Sequence, residues 1–221
     1  MNPTINILTR TSNRPIGFSK CKNSINNQTY KKINHIVSYD NDEDLKYLNN
    51  CSNKIKINRN NITVKEWLKN PLAYCLNDNP RFWYHPSNLY CNYLLKEVKE
   101  GWIMFLDDDD MLYNDSVIQN AVDNIVDEDT LLIWKMRYPT GRCLPDEKSF
   151  EQKQIRIGGI GSPCFLFNQK YIKYSQWDEY KCSDFRFLEK LYNVIPNKKW
   201  INEVFIQLNN EGGYAKREDI N

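Results

Sequence analysis

Four consecutive carboxylates, Asp107-Asp108-Asp109-Asp110, are the residues of this chain with the most evident chemistry. They directly follow the apolar run 102–106, and an apolar run that ends in a charge cluster is typical of a buried strand that ends at a site. Ligands of open α/β sheets bind beyond the carboxyl ends of the strands. Carboxylates two positions apart can both face one hard cation, which prefers oxygen ligands. The run therefore predicts a metal site, and a solvated acidic turn that caps the next helix is the alternative.

Two further polar segments follow predicted strands near the N-terminus. A short apolar strand over 5–8 runs into a polar loop that carries Arg10 and Arg14. A second strand over 33–39 ends at Asp40. Because a predicted helix lies between these strands, the alternation indicates βαβ units and a parallel sheet.

Hydrophobic periodicity extends the α/β pattern through most of the chain. Two predicted helices occupy 17–26 and 88–100. A third helix is capped by Asn114 or Asp115 and has a buried face that extends to Val126, and a last helix is capped by Ser183. Predicted strands occupy 54–57, 131–134, 164–167 and, at an edge of the sheet, 204–208. The chain length fits one domain over 1–210, followed by a weakly ordered tail over 211–221.

Composition argues against several classes of protein. A net charge of +2 decides nothing about nucleic acid, but no basic run with interleaved aromatics is present, so we expect no nucleic-acid partner. Seven cysteines, an odd number without a C-x-x-C pair, favour free thiols in a reducing compartment. The sequence has no apolar leader and no long apolar run, which predicts neither a signal peptide nor a membrane span. We therefore expect a cytoplasmic protein.

The glycines Gly158, Gly159 and Gly161 do not form a phosphate-binding loop. The pattern G-x-x-x-x-G-K-[ST] is absent, and no G-x-G-x-x-G follows the first strand. The sequence therefore argues against P-loop kinases and dinucleotide enzymes. These glycines allow either a tight turn or a close approach of the backbone to a ligand, and both interpretations stay open.

The order of features resembles the nucleotide-sugar-dependent glycosyltransferases of the GT-A fold, especially glycosyltransferase family 2. A basic loop follows the first strand, a carboxylate ends the second, and an aspartate cluster ends a later one. The segments that carry the resemblance are INILTRT (5–11), SYDND (38–42), WIMFLDDDD (102–110) and CSDFRFL (182–188). It implies a single α/β domain of the GT-A (Rossmann-like) type, with a mainly parallel central sheet flanked by helices. The implied activity is a metal-dependent, inverting transfer of a sugar to an acceptor hydroxyl.

The resemblance also implies roles in the donor site. Asp107 and Asp109 match the D-x-D pair, of which the first lies near the donor ribose and the metal, and the second binds Mn²⁺ or Mg²⁺. Asp40 matches the carboxylate that meets the base. Because a carboxylate only accepts hydrogen bonds, uracil, thymine and guanine fit, and a UDP-sugar is the first choice. A helix cap or turn is the alternative for Asp40, and a structural turn is the alternative for Arg14. The other implied donor contacts are Thr9, Arg10, Thr11, Arg14 and Asp108.

An inverting transfer also needs a general base on the side opposite the leaving group. The family places an acidic dipeptide before a late helix, and this position reads Ser183-Asp184 here, without the usual Glu. Asp184 is therefore the predicted base, with Asp178 and Glu179 as competitors. A first-turn carboxylate favoured by the helix dipole is the structural alternative. Many relatives use a later His as a metal ligand, but both histidines of this chain precede the aspartate run, which leaves the metal to aspartates, donor oxygens and water.

Aromatic side chains are the predicted acceptor contacts, because the C–H faces of sugars stack on aromatic planes. The candidates are Trp177, Trp83 and Tyr84, and a place in the core is the alternative for each. Two other functions stay open. A nucleotidyltransferase of related architecture would need a Gly-rich loop after the first strand, and the loop from Arg10 to Pro15 has no glycine. A degenerate domain that binds a nucleotide sugar or glycan without turnover fits the missing Glu and His.

Overall fold

The computed structural model describes residues 2–58 and 85–209. This part of the chain forms a sheet of nine strands flanked by five α-helices. The helices are α1 (Pro15–Asn26), α2 (Tyr90–Glu97), α3 (Val117–Asp123), α4 (Glu147–Glu151) and α5 (Ser183–Val194). The strands are β1 (Ile5–Arg10), β2 (Ile33–Tyr39), β3 (Asn53–Lys56), β4 (Trp102–Phe105), β5 (Asp110–Leu112), β6 (Thr130–Arg137), β7 (Cys143–Leu144), β8 (Phe165–Asn168) and β9 (Asn197–Leu208).

The strand order across the sheet is β3-β2-β1-β4-β8-β6-β9-β5, with β7 paired to β6. The neighbours β3, β2, β1 and β4 are all parallel, and Ile5 of β1 is in register with Ile33 of β2 and Trp102 of β4. Beyond β4 the sheet is mixed, because β8 runs antiparallel to both β4 and β6, whereas β6 and β9 are parallel. The predicted α/β fold is confirmed, and its continuous run of parallel strands, β3-β2-β1-β4, forms the parallel half of the sheet.

Burial explains why β1 and β4 lie inside the parallel half. Every residue of β4 is buried, as are the first five residues of β1. Such continuous runs belong to strands that are covered on both faces. Pro15 begins α1, where a missing N–H costs little. Phe18, Cys21 and Ile25 then recur at helical spacing and form the buried face of α1.

Three predicted elements differ from the structure. The predicted edge strand 204–208 is the end of β9, which lies between β6 and β5 and is therefore internal. The helix predicted to reach residue 100 ends at Glu97, because Val98 already has extended backbone. Helix α3 ends at Asp123, so Val126, which the periodicity assigns to its buried face, is 71% exposed.

Other predictions fall outside the described residues. They concern the tail 211–221, the domain limit at residue 210, and the aromatic candidates Trp83 and Tyr84. Within the described ranges, no helix combines the length and the apolar character needed to cross a membrane.

Candidate active site

The parallel half of the sheet brings the predicted site residues to one edge. Strands β2, β1 and β4 are adjacent and run in the same direction, with Arg10 at the end of β1 in register with Ser38 of β2. Their carboxyl ends therefore meet, and the residues that follow them lie close together. The segments concerned are the loop 11–14 after β1, Asp40 after β2 and the aspartate run after β4.

The aspartate run alternates between open and enclosed carboxylates. The side chains of Asp107 and Asp109 are 26% and 20% exposed, whereas Asp108 and Asp110 are buried. A tight turn contains the run, because the Asp110 N–H donates to the Asp107 carbonyl at 3.0 Å, and Asp110 then begins β5. The open carboxylates are thus Asp107 and Asp109, the pair predicted to bind the metal.

Arg10 forms a two-pronged ion pair with Asp107. Its Nη2 lies 2.7 Å from Asp107 Oδ2, and its Nε lies 2.9 Å from Oδ1. Its Nη1 donates to the Ser87 carbonyl at 3.1 Å and to Asn88 Oδ1 at 3.2 Å. Burial alone would lower the pKa of Arg10, but Asp107 raises this pKa above its ordinary value, so the guanidinium stays charged. The bidentate geometry fixes the Asp107 carboxylate at the sheet edge.

Arg14 neutralises part of the charge on the next two aspartates. Its Nη1 lies 2.8 Å from Asp108 Oδ1 and 3.5 Å from Asp109 Oδ2. Asp108 is buried, and its Oδ2 has no hydrogen-bond partner among the described residues. Burial raises the pKa of Asp108 to about 7 against the opposing effect of Arg14. Asp108 was predicted to contact the donor, but in the structure its carboxylate is enclosed by protein and anchors Arg14 instead.

Two carboxylates of this cluster are open to a divalent cation. They are Asp107 and Asp109, whose side chains are partly exposed beside Arg10 and Arg14. Asp107 and Asp109 supply the hard oxygen ligands that Mn²⁺ and Mg²⁺ prefer. The described residues contain no group of three His, Cys, Asp or Glu side chains able to hold an ion by themselves. Phosphate oxygens of a ligand and water would therefore have to complete the coordination shell.

Two hydrogen bonds orient the Asp40 carboxylate. Ser12 Oγ donates to its Oδ1 at 3.1 Å, and the Tyr90 hydroxyl donates to its Oδ2 at 2.6 Å. A carboxylate only accepts hydrogen bonds, so Asp40 suits a ligand that presents an N–H. The role of Tyr90 has no signal in the sequence, because a single tyrosine at the start of a helix does not indicate a partner 50 residues away.

Thr9 and Thr11, both predicted to contact the donor, are enclosed by protein. Thr9 is fully buried, and its hydroxyl lies 2.9 Å from Nε2 of His35 on β2. Thr11 is 3% exposed, and its hydroxyl lies 3.0 Å from the Tyr47 hydroxyl. Successive side chains of a strand point to opposite faces, so Arg10 reaches the site while Thr9 packs beside β2. The structure therefore gives both threonines a supporting position beneath the loop.

A buried polar network shapes the loop after β1. Asp44 is fully buried, and its Oδ1 accepts from the Asn13 N–H and the Tyr47 hydroxyl, each at 2.8 Å. Asn13 has a positive φ of 52°, which asparagine tolerates better than most residues. The network therefore fixes the backbone just before Arg14. The sequence carries no signal for the role of Asp44, because Asp44 acts on a loop 31 residues away.

Asp184, the predicted base, lies in the first turn of α5 and belongs to the same electrostatic cluster. Its Oδ1 accepts from the Phe185 N–H at 2.8 Å. Burial is the main cause that raises the pKa of Asp184 to about 6, and Asp107 adds to it, while the Phe185 N–H, Arg186 and Arg10 oppose it. The charges of Arg10 and Asp107 therefore act on the Asp184 carboxylate.

Of the two competing carboxylates, Asp178 is held in an ion pair and Glu179 is buried. Asp178 accepts from Arg186 Nε at 2.6 Å and from the Tyr180 N–H at 3.0 Å, so it shapes the loop before α5. Glu179 is 6% exposed, and its backbone carbonyl accepts from the His85 N–H at 2.6 Å. The geometry of this segment therefore favours Asp184 as the carboxylate available for chemistry.

Trp177, predicted as an acceptor contact, is a core residue in the structure. It is 4% exposed, and its ring stacks on Phe187 with centroids 5.0 Å apart. The edge of Phe105 meets it at 4.9 Å. A sugar could stack on this ring only if the surrounding core opened. The ring face of Trp177 that was predicted to contact an acceptor is therefore covered by the apolar packing of α5 on the sheet.

The fold is similar to solved structures of nucleotide-sugar-binding proteins. TarS of S. aureus matches with a TM-score of 0.68 and 18% identity, over 93% of this chain and 36% of TarS. TarS 1-349 in complex with UDP-GlcNAc matches with a TM-score of 0.65 and 17% identity, over 96% and 60% of the two chains. The mannosyltransferase PcManGT from Pyrobaculum calidifontis, in complex with GDP-Man and Mn²⁺, matches with a TM-score of 0.61 and 10% identity, over 93% and 56%.

These similarities concern the fold. The chain spans between 36% and 60% of the length of these neighbours. No family model matches the sequence, and no curated protein does. The α/β sheet of this chain and these solved neighbours nevertheless share one fold. This chain therefore has the GT-A fold of nucleotide-sugar-dependent glycosyltransferases.

Proposed function

We propose that this chain is a glycosyltransferase that depends on a divalent metal and transfers a hexose from a UDP-sugar to an acceptor hydroxyl with inversion. One observation carries the proposal: Asp40 after β2 and the open pair Asp107 and Asp109 after β4 lie at the same edge of the parallel half of the sheet, where Arg10 of β1 contacts Asp107. The UDP-GlcNAc bound to TarS, and the GDP-Man and Mn²⁺ bound to the mannosyltransferase, support it.

Asp40 recognises the base of the donor. Its carboxylate accepts the imino N–H of uracil, whereas cytosine and adenine present an acceptor nitrogen at the corresponding edge. Ser12 and Tyr90 keep the carboxylate in one orientation through their hydrogen bonds to its two oxygens. Arg10 and Arg14, whose side chains are 19% and 21% exposed, bring positive charge to the diphosphate.

Asp107 and Asp109 hold the metal, and a bound Mn²⁺ or Mg²⁺ would supply charge neutralisation on the departing diphosphate. Arg10 orients the Asp107 carboxylate through its bidentate contact. Arg14 Nη1 lies 3.5 Å from Asp109 Oδ2 and balances part of the charge of this carboxylate.

Asp184 acts as the general base. Its carboxylate takes the proton of the acceptor hydroxyl as the acceptor oxygen bonds to the anomeric carbon. The bond between that carbon and the donor phosphate oxygen breaks at the same time, and UDP leaves with the electron pair. Because burial raises the pKa of Asp184 to about 6, its carboxylate is a better proton acceptor than an ordinary aspartate and is still ionised at neutral pH.

The test is release of nucleoside diphosphate from a panel of UDP-, GDP- and CDP-sugars, with Mn²⁺, Mg²⁺ or EDTA. We expect metal-dependent release from at least one UDP-sugar by the native chain and by Asp123→Ala, a change at an exposed aspartate at the end of α3. The Asp109→Ala variant should lose this activity. Absence of both UDP affinity and release with every sugar would refute the proposal.

A nucleotide-sugar-binding domain without turnover is the second candidate. It is favoured by the contact of Arg10 with both oxygens of Asp107, because a metal must share this carboxylate with the guanidinium. This candidate predicts UDP affinity by calorimetry without release from any sugar. The same panel therefore separates the two functions.

A further inference from the structure

The side-chain amide of Asn88 connects two parts of the site. Asn88 lies in the single 3₁₀ turn that leads into α2. Its Oδ1 accepts from Arg10 Nη1 at 3.2 Å, and its Nδ2 donates to the Tyr180 carbonyl at 3.0 Å. One planar group thus contacts the donor side through Arg10 and the loop 178–183 through Tyr180.

Both ends of this connection lead directly to groups with a proposed role. Arg10 holds Asp107 with contacts of 2.7 to 2.9 Å. Tyr180 lies four residues before Asp184, in a loop that is closed on itself by the bond from the Asp178 N–H to Ser183 Oγ at 2.9 Å. A shift of Tyr180 is therefore passed to the start of α5.

Asn92, one helical turn further along, provides an internal comparison. Its Nδ2 donates to the Trp177 carbonyl at 2.8 Å, and its Oδ1 accepts from the Trp177 N–H at 2.9 Å. Asn92 therefore ties α2 to the same segment as Asn88 does. Both the oxygen and the nitrogen of the Asn92 amide bond to Trp177. In Asn88, by contrast, the nitrogen bonds to the loop and the oxygen bonds to Arg10.

We propose that Asn88 is a positioning residue that couples occupancy of the donor site to the placement of the loop carrying Asp184. The inference rests on the proposed function. A diphosphate attracts the guanidinium of Arg10, and any movement of Arg10 acts on Asn88 Oδ1. Because the amide is rigid and planar, its nitrogen follows and moves the Tyr180 carbonyl. Donor binding thereby orders the base for the acceptor.

The experiment compares Asn88→Ala with Asn92→Ala, the matched control. Calorimetry measures the affinity for UDP with Mn²⁺, and thermal melting checks the fold of both variants. Hydrogen–deuterium exchange follows the peptide that covers 178–185, with and without UDP and Mn²⁺. Steady-state transfer or release gives kcat and the KM for the donor.

In the native chain and in Asn92→Ala, UDP with Mn²⁺ should slow exchange in this peptide. In Asn88→Ala the slowing should disappear, and kcat should fall about 10- to 100-fold, the scale expected when a reacting group is misplaced. The affinity for UDP should change by less than about 10-fold, since one hydrogen bond to Arg10 is lost. Asn88→Asp keeps an acceptor for Arg10 but replaces the donor to Tyr180, so it should also uncouple the loop while retaining UDP binding.

Three results would overturn the inference. One is a native chain that binds UDP without any change of exchange in the loop. The second is an Asn88→Ala variant that keeps the response and the native kcat. The third is an Asn92→Ala variant that loses the response equally, because Asn88 would then be only one of two anchors. A native chain that binds no UDP would instead refute the proposed function, so the two failures are distinguishable.

Discussion

Replacing Asp184 by asparagine should slow sugar transfer and, at the same time, stabilise the fold at pH 8. A general base contributes about 10²- to 10⁴-fold to the rate, and asparagine cannot take the proton. The effect on stability follows from desolvation. The Asp184 carboxylate is partly removed from water, whereas asparagine is neutral, has the same shape and can still accept from the Phe185 N–H.

The magnitude follows from the pKa shift. Folding raises the pKa of Asp184 from 3.8 to about 6, so the folded state binds this proton more tightly than the unfolded state. Above pH 6 the Asp184 carboxylate is ionised in both states. Each unit of pKa difference between the two states corresponds to about 1.4 kcal/mol, so ionised Asp184 lowers the free energy of unfolding by at most about 3 kcal/mol. Allowing for the partial exposure of the residue, we expect about 1–2 kcal/mol, or a rise in Tm of about 2–8 °C. The cost fades as pH falls from 6 towards 4, where both states become protonated.

Thermal melting of the native chain and Asp184→Asn between pH 4.5 and 8, together with release of UDP from the best donor, checks both effects. The gain in Tm should be largest at pH 8 and shrink below pH 6, and native kcat should rise through about pH 6. Asp178→Asn is the control, because it weakens the pair with Arg186 and should lower Tm. If Asp184→Asn lowers Tm at pH 8, or shifts Tm equally at every pH, burial does not destabilise the ionised Asp184 carboxylate. Near-native turnover of this variant would refute the role of Asp184 as the general base.

Four other substitutions test the remaining parts of the site. Asp109→Ala should abolish Mn²⁺-dependent UDP binding in calorimetry with little change in Tm, and unchanged metal-dependent affinity would contradict its role as a ligand. Asp40→Ala should weaken UDP binding by about 1.5–3 kcal/mol, and Tyr90→Phe should weaken it by about 0.5–1.5 kcal/mol. Both variants should prefer UDP over CDP less than the native chain does. An equal loss of affinity for the two nucleotides would indicate a packing effect. Trp177→Ala should lower the free energy of unfolding in urea by about 3–5 kcal/mol, since the ring is buried against Phe187. A small stability loss with a large rise in acceptor KM would instead support the acceptor role.

Local sequence determined where strands end and which polar residues follow them. The apolar run before Asp107 predicted β4, and the strand predicted over 33–39 has the bounds of β2. These features are legible because burial of a strand or a helix face depends on neighbours in the chain. The parallel order of the first strands then followed from the βαβ pattern, so the edge at which Asp40 and the aspartates meet could be predicted as well.

Only the tertiary structure decided which of these residues are available to a ligand. Thr9 and Asp108 have the right types and positions, yet both are enclosed. The contacts of Arg10 with Asp107 and of Asn88 with Tyr180 join residues 97 and 92 positions apart. No local pattern encodes such pairs, because they arise when separate strands and loops reach the same sheet edge. The position of β9 inside the sheet could not be predicted for the same reason, because the residues of a strand do not specify which strands lie beside it.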